Sequence, residues 1–278
     1  MSGPTTDRSG RIQKPDGQGE APQQQSLLRL LRSPELKGEI ERALPNHLTA
    51  DRMLRILTTS LRTVEHLAEC SPPSFLGCVL QASQLGLEVN TPLQHAFLIP
   101  RRNKHANNRY ECTLIIGYQG QLELSLRSGR VAGISAMVVK EGDYFEHEYG
   151  LTPKLRHRMS PDPDREDRPI THAWACGEIK GGGQPFVVLS LAQIEARRSR
   201  SAASGSGPWV TDYEAMATKT ALRALWKFLP KSSEMARAET LEAAVESGRS
   251  QISAIDEGIQ ERLLAMGLQD ADEDQVTS

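Results

Sequence analysis

Aromatic side chains make up only 5% of this 278-residue chain, and hydrophobic ones 38%. Such dilution fits a packed core that carries polar ends. No apolar run reaches the ~20 residues that a bilayer-spanning helix needs. The first residues hold no apolar signal-like segment, so a soluble, cytoplasmic protein with no membrane partner is expected. The four cysteines, Cys70, Cys78, Cys112 and Cys176, form no CxxC pair. That spacing supports neither a zinc framework nor a disulfide scaffold and fits a reducing compartment. GxxxxGK[ST] is missing, and no strand pattern runs into GxGxxG, so nothing points to ATP-driven work. GxSxG is missing too. The seven histidines fall in neither HxxxH nor HExxH spacing.

Charge is present, and it is divided unevenly. The formal net charge is -2. Residues 232–278 hold eleven acidic and three basic side chains, while 1–231 hold thirty basic and twenty-four acidic. A cationic body with an acidic end suits a polyanion-binding core, or simply a solvated surface with a solubilising tail.

Composition also sets the expected boundaries. Residues 1–25 are rich in Gly, Pro, Gln and Ser, too poor in apolar surface to offset chain entropy, and are expected to be disordered. The core is expected over 26–231, followed by an acidic, largely flexible tail over 232–278. Helical periodicity marks 26–44 and 49–69, with Thr49 as N-cap, and a further helix from Ser71 or Pro72 to Gly86. Strands are expected at 95–100 and 109–117, flanking the basic loop RRNKHANN, then at 131–140 with 143–149, and at 170–180 with 185–190. A short helix fills 119–128, and Ser190 caps another. Hairpins outnumber βαβ units. The fold class is therefore α+β, a small antiparallel sheet packed with helices.

The segment 208–231, PWVTDYEAMATKTALRALWKFLPK, reads as an amphipathic helix. Lys219, Arg223 and Lys227 fall at successive i,i+4 positions and form a cationic ridge. Thr211 and Glu214 have capping-box spacing. Arg101, Arg102, Lys104 and Arg109 sit in or beside the first hairpin loop, where long cations reach phosphates. Arg127 and Arg130 end the following helix and also suit its dipole. Tyr118 and Trp209 are aromatics beside basic segments. Either can stack on bases or pack in the core, and for Trp226 and Phe228 core packing is expected.

A second chemistry has weaker support. Asp162 follows a proline, and Glu178-Ile179-Lys180 lies downstream. Carboxylates that hold a divalent ion, with a lysine on the scissile phosphate, are the pattern of metal-dependent nucleases. Here the motif is short and runs into a glycine turn.

Four blocks then carry a resemblance: SPPSFLGCVLQASQLGLE (71–88), continued by LGLEVNTPLQHAFLIP (85–100), then LIIGYQGQLELSLRSGRV (114–131), and PWVTDYEAMATKTALRALWKFLP (208–230), with EGDYFEHEYG (141–150) matching in kind. Over about 48–231 the chain resembles the RecT family of phage-type single-strand annealing proteins. The resemblance implies single-stranded DNA binding, ATP-independent annealing to a complementary strand in homologous recombination, and self-association into rings or filaments. It implies no catalytic site and no cofactor beyond a divalent ion as an aid to binding. It also implies a partner exonuclease and a single-strand-binding protein. The family's basic GY[K/R]G block reads GYQG here, with Gln119 in place of the cation, and its paired lysines read Thr218-Lys219. Each departure predicts a weaker phosphate grip. The DNA-binding residues expected are Arg101, Arg102, Lys104, Tyr118, Gln119, Arg127, Trp209, Lys219, Arg223 and Lys227. A metal-dependent nuclease and a passive single-strand binder are the alternatives. The helices within 26–69 are the candidate subunit-packing surface.

Overall fold

The computed structural model describes residues 22–103, 108–201, 204–205, 208–246 and 251. The tail expected to be disordered falls outside these residues as far as residue 21. The weak amphipathic segment near 252–267 also lies outside them.

Four helices come first: α1 (Pro22–Leu31), α2 (Pro34–Ala43), α3 (Ala50–Thr63) and α4 (Pro72–Leu85). Ser33 splits the first expected helix in two, because its hydroxyl accepts the Leu36 N–H and Pro34 begins the next turn. Thr49 caps α3 by accepting from Arg52 N–H, and Gly86 ends α4 at φ +62°. Twelve of the fourteen α4 residues are buried, the mark of a helix enclosed on every side.

The apolar stripes of α1 to α3 are used inside the chain. Leu27, Leu28, Leu31, Leu36, Ile40, Met53, Leu57 and Leu61 are all buried in the core.

Three antiparallel sheets follow among the described residues. β1 (Ala96–Asn103) pairs with β2 (Arg109–Ile116). β3 (Val131–Lys140), β6 (Ile170–Ile179) and β7 (Phe186–Ser190) form a sheet in the order β3-β6-β7. β4 (Tyr144–Glu148) pairs with β5 (Lys154–Arg158), not with β3 as expected. The β4–β5 hairpin lies on one face of the three-stranded sheet through Phe145 against His172 and His157 against Trp174. The other face meets α8 (Tyr213–Trp226). A Cβ at Gly177 would stand 2.5 Å from Leu229 Cδ2, so the chain after α8 packs directly on that strand and a larger residue there would require the Leu229 side chain to shift. This is the α+β class, with antiparallel sheets backed by helices.

α5 (Tyr118–Arg127) joins the two sheets. Its start is fixed by close backbone approach. A Cβ at Gly117 would lie 2.2 Å from the Gln94 carbonyl oxygen, and one at Gly120 would lie 2.1 Å from that of His95. The glycines of the GYQG block are thus structural. α6 (Leu191–Arg198) begins with the expected Ser190 cap, and Gln193 completes a capping box. α7 (Pro208–Thr211) and α8 replace the single helix expected over this region. Asp212 leaves helical geometry at φ −141° and ψ 52°. Its carboxylate takes the Thr211 hydroxyl proton at 2.7 Å, so the Thr211–Glu214 capping box does not form.

The core also runs past the expected boundary at 231. α9 (Ser233–Glu246) buries Met235, Ala238, Leu241 and Ala244. Gln251 accepts from Leu114 N–H at 2.7 Å and donates to Leu114 O at 2.9 Å, closing part of the free edge of β2. The expectation of a flexible tail beginning at 232 is corrected: α9 and Gln251 belong to the packed core.

Candidate nucleic-acid interface

The β1–β2 hairpin raises Arg101, Arg102 and Arg109 into solvent. The register pairs Arg101 with Glu111 and Arg102 with Tyr110. The Arg102 guanidinium lies 4.7 Å over the Tyr110 ring, and Tyr110 stacks on His66 at 4.7 Å. This support holds the Arg102 stem while its charge stays accessible. Lys104 lies outside the described residues.

Tyr118 and Gln119 are half-buried, and the Gln119 amide donates to the Tyr118 hydroxyl at 2.9 Å. Arg127 turns inward. It donates to the carbonyls of Leu85 and Gly86, the latter at 3.1 Å, and meets His47 at 3.0 Å. Its guanidinium caps the C-terminus of α4, which gives it a structural task. Trp209 is 6% exposed and lies against Tyr213, so of its two readings the geometry selects core packing.

The α8 ridge is uneven. Lys219 is half-buried, and burial first, then neighbouring Arg223, pulls its pKa below the usual lysine value. Arg223 lies 3.6 Å from Glu242 on α9. Lys227 is exposed at the C-cap. Thr218 bonds back to the Glu214 carbonyl at 3.0 Å. Trp226 is buried and donates its indole N–H to Ser125 Oγ at 3.0 Å. Phe228, expected in the core, is instead 65% exposed beside Lys227.

Register creates a further basic end that residue spacing did not reveal. Lys180 N–H donates to the Arg130 carbonyl at 2.8 Å, and Arg130 Nη1 donates to Lys231 O at 3.2 Å. These cations gather where β3 begins and β6 ends, beside the turn Gly181–Gly183. An open groove of about 960 Å³ adjoins them, lined by Trp174, Phe186, Leu155, Glu178 and Lys180 among others. Trp174 is fixed by its N–H bond to His157 Nδ1 at 3.0 Å.

The candidate nuclease carboxylates are not brought together. Asp162 is held by Arg168 at 2.9 Å, ahead of β6, whereas Glu178 lies at the far end of that strand, opposite Gly133. From Ile170 to Glu178 the strand spans roughly 26 Å at ~3.3 Å per residue. Among the described residues, no group of three His, Cys, Asp or Glu side chains is placed to hold a metal ion. No helix among them is long and apolar enough to cross a membrane.

One buried charge network stiffens the sheet near Lys140. Asp143 accepts from Arg165 Nε and Nη2 at 2.8 Å each, from the backbone N–H groups of Lys140 and Ser160, and from His157 Nε2 at 3.0 Å. The Arg165 guanidinium holds the Asp143 carboxyl well below the usual carboxylate range. Lys140 in turn reaches Glu166 and Glu214 at 2.8 and 3.0 Å, joining β3 to the start of α8.

Similarity to known proteins gives the class: the chain is a recombination protein involved in single-strand annealing. It belongs to the RecT family, whose model matches residues 51–254. It is 45% identical over 217 residues to Protein RecT of Escherichia coli (strain K12), covering 78% of this chain and 80% of that one. It is 26% identical over 212 residues to the uncharacterized protein YqaK of Bacillus subtilis (strain 168), covering 75% and 69% of the two chains.

Proposed function

We propose that the protein grips the backbone of single-stranded DNA and promotes its annealing to a complementary strand without ATP. Family membership supports the activity. The observation that carries the site is the exposed set Arg101, Arg102 and Arg109 on the β1–β2 hairpin, with Lys227, Arg130 and Lys180 as further contacts. Such cations neutralise phosphates and release counterions, so binding is independent of sequence and steeply salt-dependent. A strand held by its phosphates keeps its bases free for a complement. Pairing then supplies the driving force, ~1.4 kcal/mol per stacked step, which removes any need for nucleotide hydrolysis.

We further propose that copies of the chain assemble on the strand into rings or filaments, and that an exonuclease and a single-strand-binding protein act beside it. The test is anisotropy of a labelled single strand across a salt series, then its rate of pairing with a complement, followed by gel analysis of the same strand. Salt-sensitive binding with faster pairing and intact strands supports the proposal. Binding without faster pairing leaves a passive binder, and shortened strands restore the nuclease.

A further inference from the structure

The α8 ridge has a carboxylate in it. Glu242, from α9, accepts the Gln121 amide proton at 2.7 Å and lies 3.6 Å from Arg223 Nη2. Its charge also reaches Lys219, where it acts against the lowering caused by burial and Arg223. Gln121 is 3% exposed and the Glu242 side chain 18%. Donors from two helices, α5 and α8, therefore converge on one acceptor supplied by a third. A guanidinium and an amide N–H around one anion, with an ammonium one turn back along α8, are what a phosphodiester oxygen takes.

We infer that Lys219, Arg223 and Gln121 form a slot for a backbone phosphate of single-stranded DNA, and that Glu242 fills it in the DNA-free protein. The inference rests on the DNA-binding function proposed above. Phosphate and carboxylate compete for the same donors, so a phosphate enters as Glu242 leaves. Burial of Met235, Ala238, Leu241 and Ala244 holds α9 where Glu242 reaches the slot. A second pair, Lys231 with Glu239 at 2.5 Å, tethers the start of the same helix. Filling the slot with phosphate therefore loosens α9. By linkage, anything that holds α9 away from the ridge raises affinity for the strand by the same factor. Lys227, exposed two turns beyond Lys219, contacts DNA with α9 still docked.

The test uses the full chain and a labelled oligothymidylate. Glu242→Gln removes the charge and keeps an acceptor for Gln121. It binds about fivefold tighter, at the low end of allosteric couplings, and its log K against log salt line steepens by roughly 0.7 for each cation freed. Glu234→Gln removes a charge from the first turn of α9 and leaves the slope unchanged. Adding Arg223→Ala to Glu242→Gln cancels the gain. Equal affinity and slope for Glu242→Gln and wild type, with wild type binding, overturn the slot and leave the DNA-binding function standing. No binding by any variant at low salt overturns that function itself. Hydrogen exchange of the wild type gives an independent readout: amides in 233–246 exchange faster with oligonucleotide bound, and unchanged or slower exchange contradicts the slot.

Discussion

Arg127 Nη1 donates to the Gly86 carbonyl at 3.1 Å, across 41 residues of sequence. The bond closes the C-terminus of α4, the most enclosed helix of the core. Arg127→Ala takes this donor from the Leu85 carbonyl, leaves the Gly86 carbonyl to His47, and lowers stability by about 1–3 kcal/mol. Urea unfolding checks this. The salt slope of DNA binding stays as in wild type, because the guanidinium faces the helix end and not phosphate.

The Asp143 carboxylate is fully buried and bound by Arg165, His157 and two backbone N–H groups. Asp143→Asn removes the buried half of the pair, leaves Arg165 with the exposed Glu166 alone, and costs up to about 3–5 kcal/mol. The folded-state pKa is depressed, so this stabilisation is fully present above the unfolded value near 3.9 and is lost as pH falls through the folded one. Acid unfolding followed by circular dichroism in wild type and variant measures the difference. The gap between them narrows below about pH 4.

Gly120→Ala drives a Cβ to within 2.1 Å of the His95 carbonyl oxygen. Neither backbone segment can yield cheaply, so the loss is roughly 1–3 kcal/mol or more. Thermal unfolding reads it. Gly129→Ala, whose Cβ would meet nothing within 4 Å but sits at φ +72°, costs only about 1 kcal/mol of backbone strain.

Much of this fold is legible in the sequence because its signals are local. Thr49, Ser190 and Gly86 mark helix ends through their own side chain or its lack, and strands β1, β2, β3, β6 and β7 show in short apolar stretches bounded by turn residues. β5, Lys154–Arg158, escapes such a reading because its outward face is Lys154, Arg156 and Arg158, leaving two inward residues to signal a strand. The site is harder. An i,i+4 ridge on α8 reads the same whether it faces solvent or α9. Only tertiary packing separates exposed Lys227 from half-buried Lys219. Arg130 and Lys180 lie fifty residues apart in sequence, and the β3–β6 pairing alone brings them together. Trp209 is buried and Phe228 exposed, against expectation for the latter, because the helix breaks at Asp212 and ends before Phe228.

The hairpin arginines carry the central claim. The decisive measurement is the rate at which two labelled complementary strands pair, without nucleotide, for wild type and for Arg101→Ala/Arg102→Ala. The account predicts that wild type accelerates pairing. In the variant the acceleration falls sharply, and the salt slope of strand binding drops by roughly 0.7 for each phosphate no longer neutralised. Undiminished acceleration and an unchanged slope in a folded double variant would contradict it.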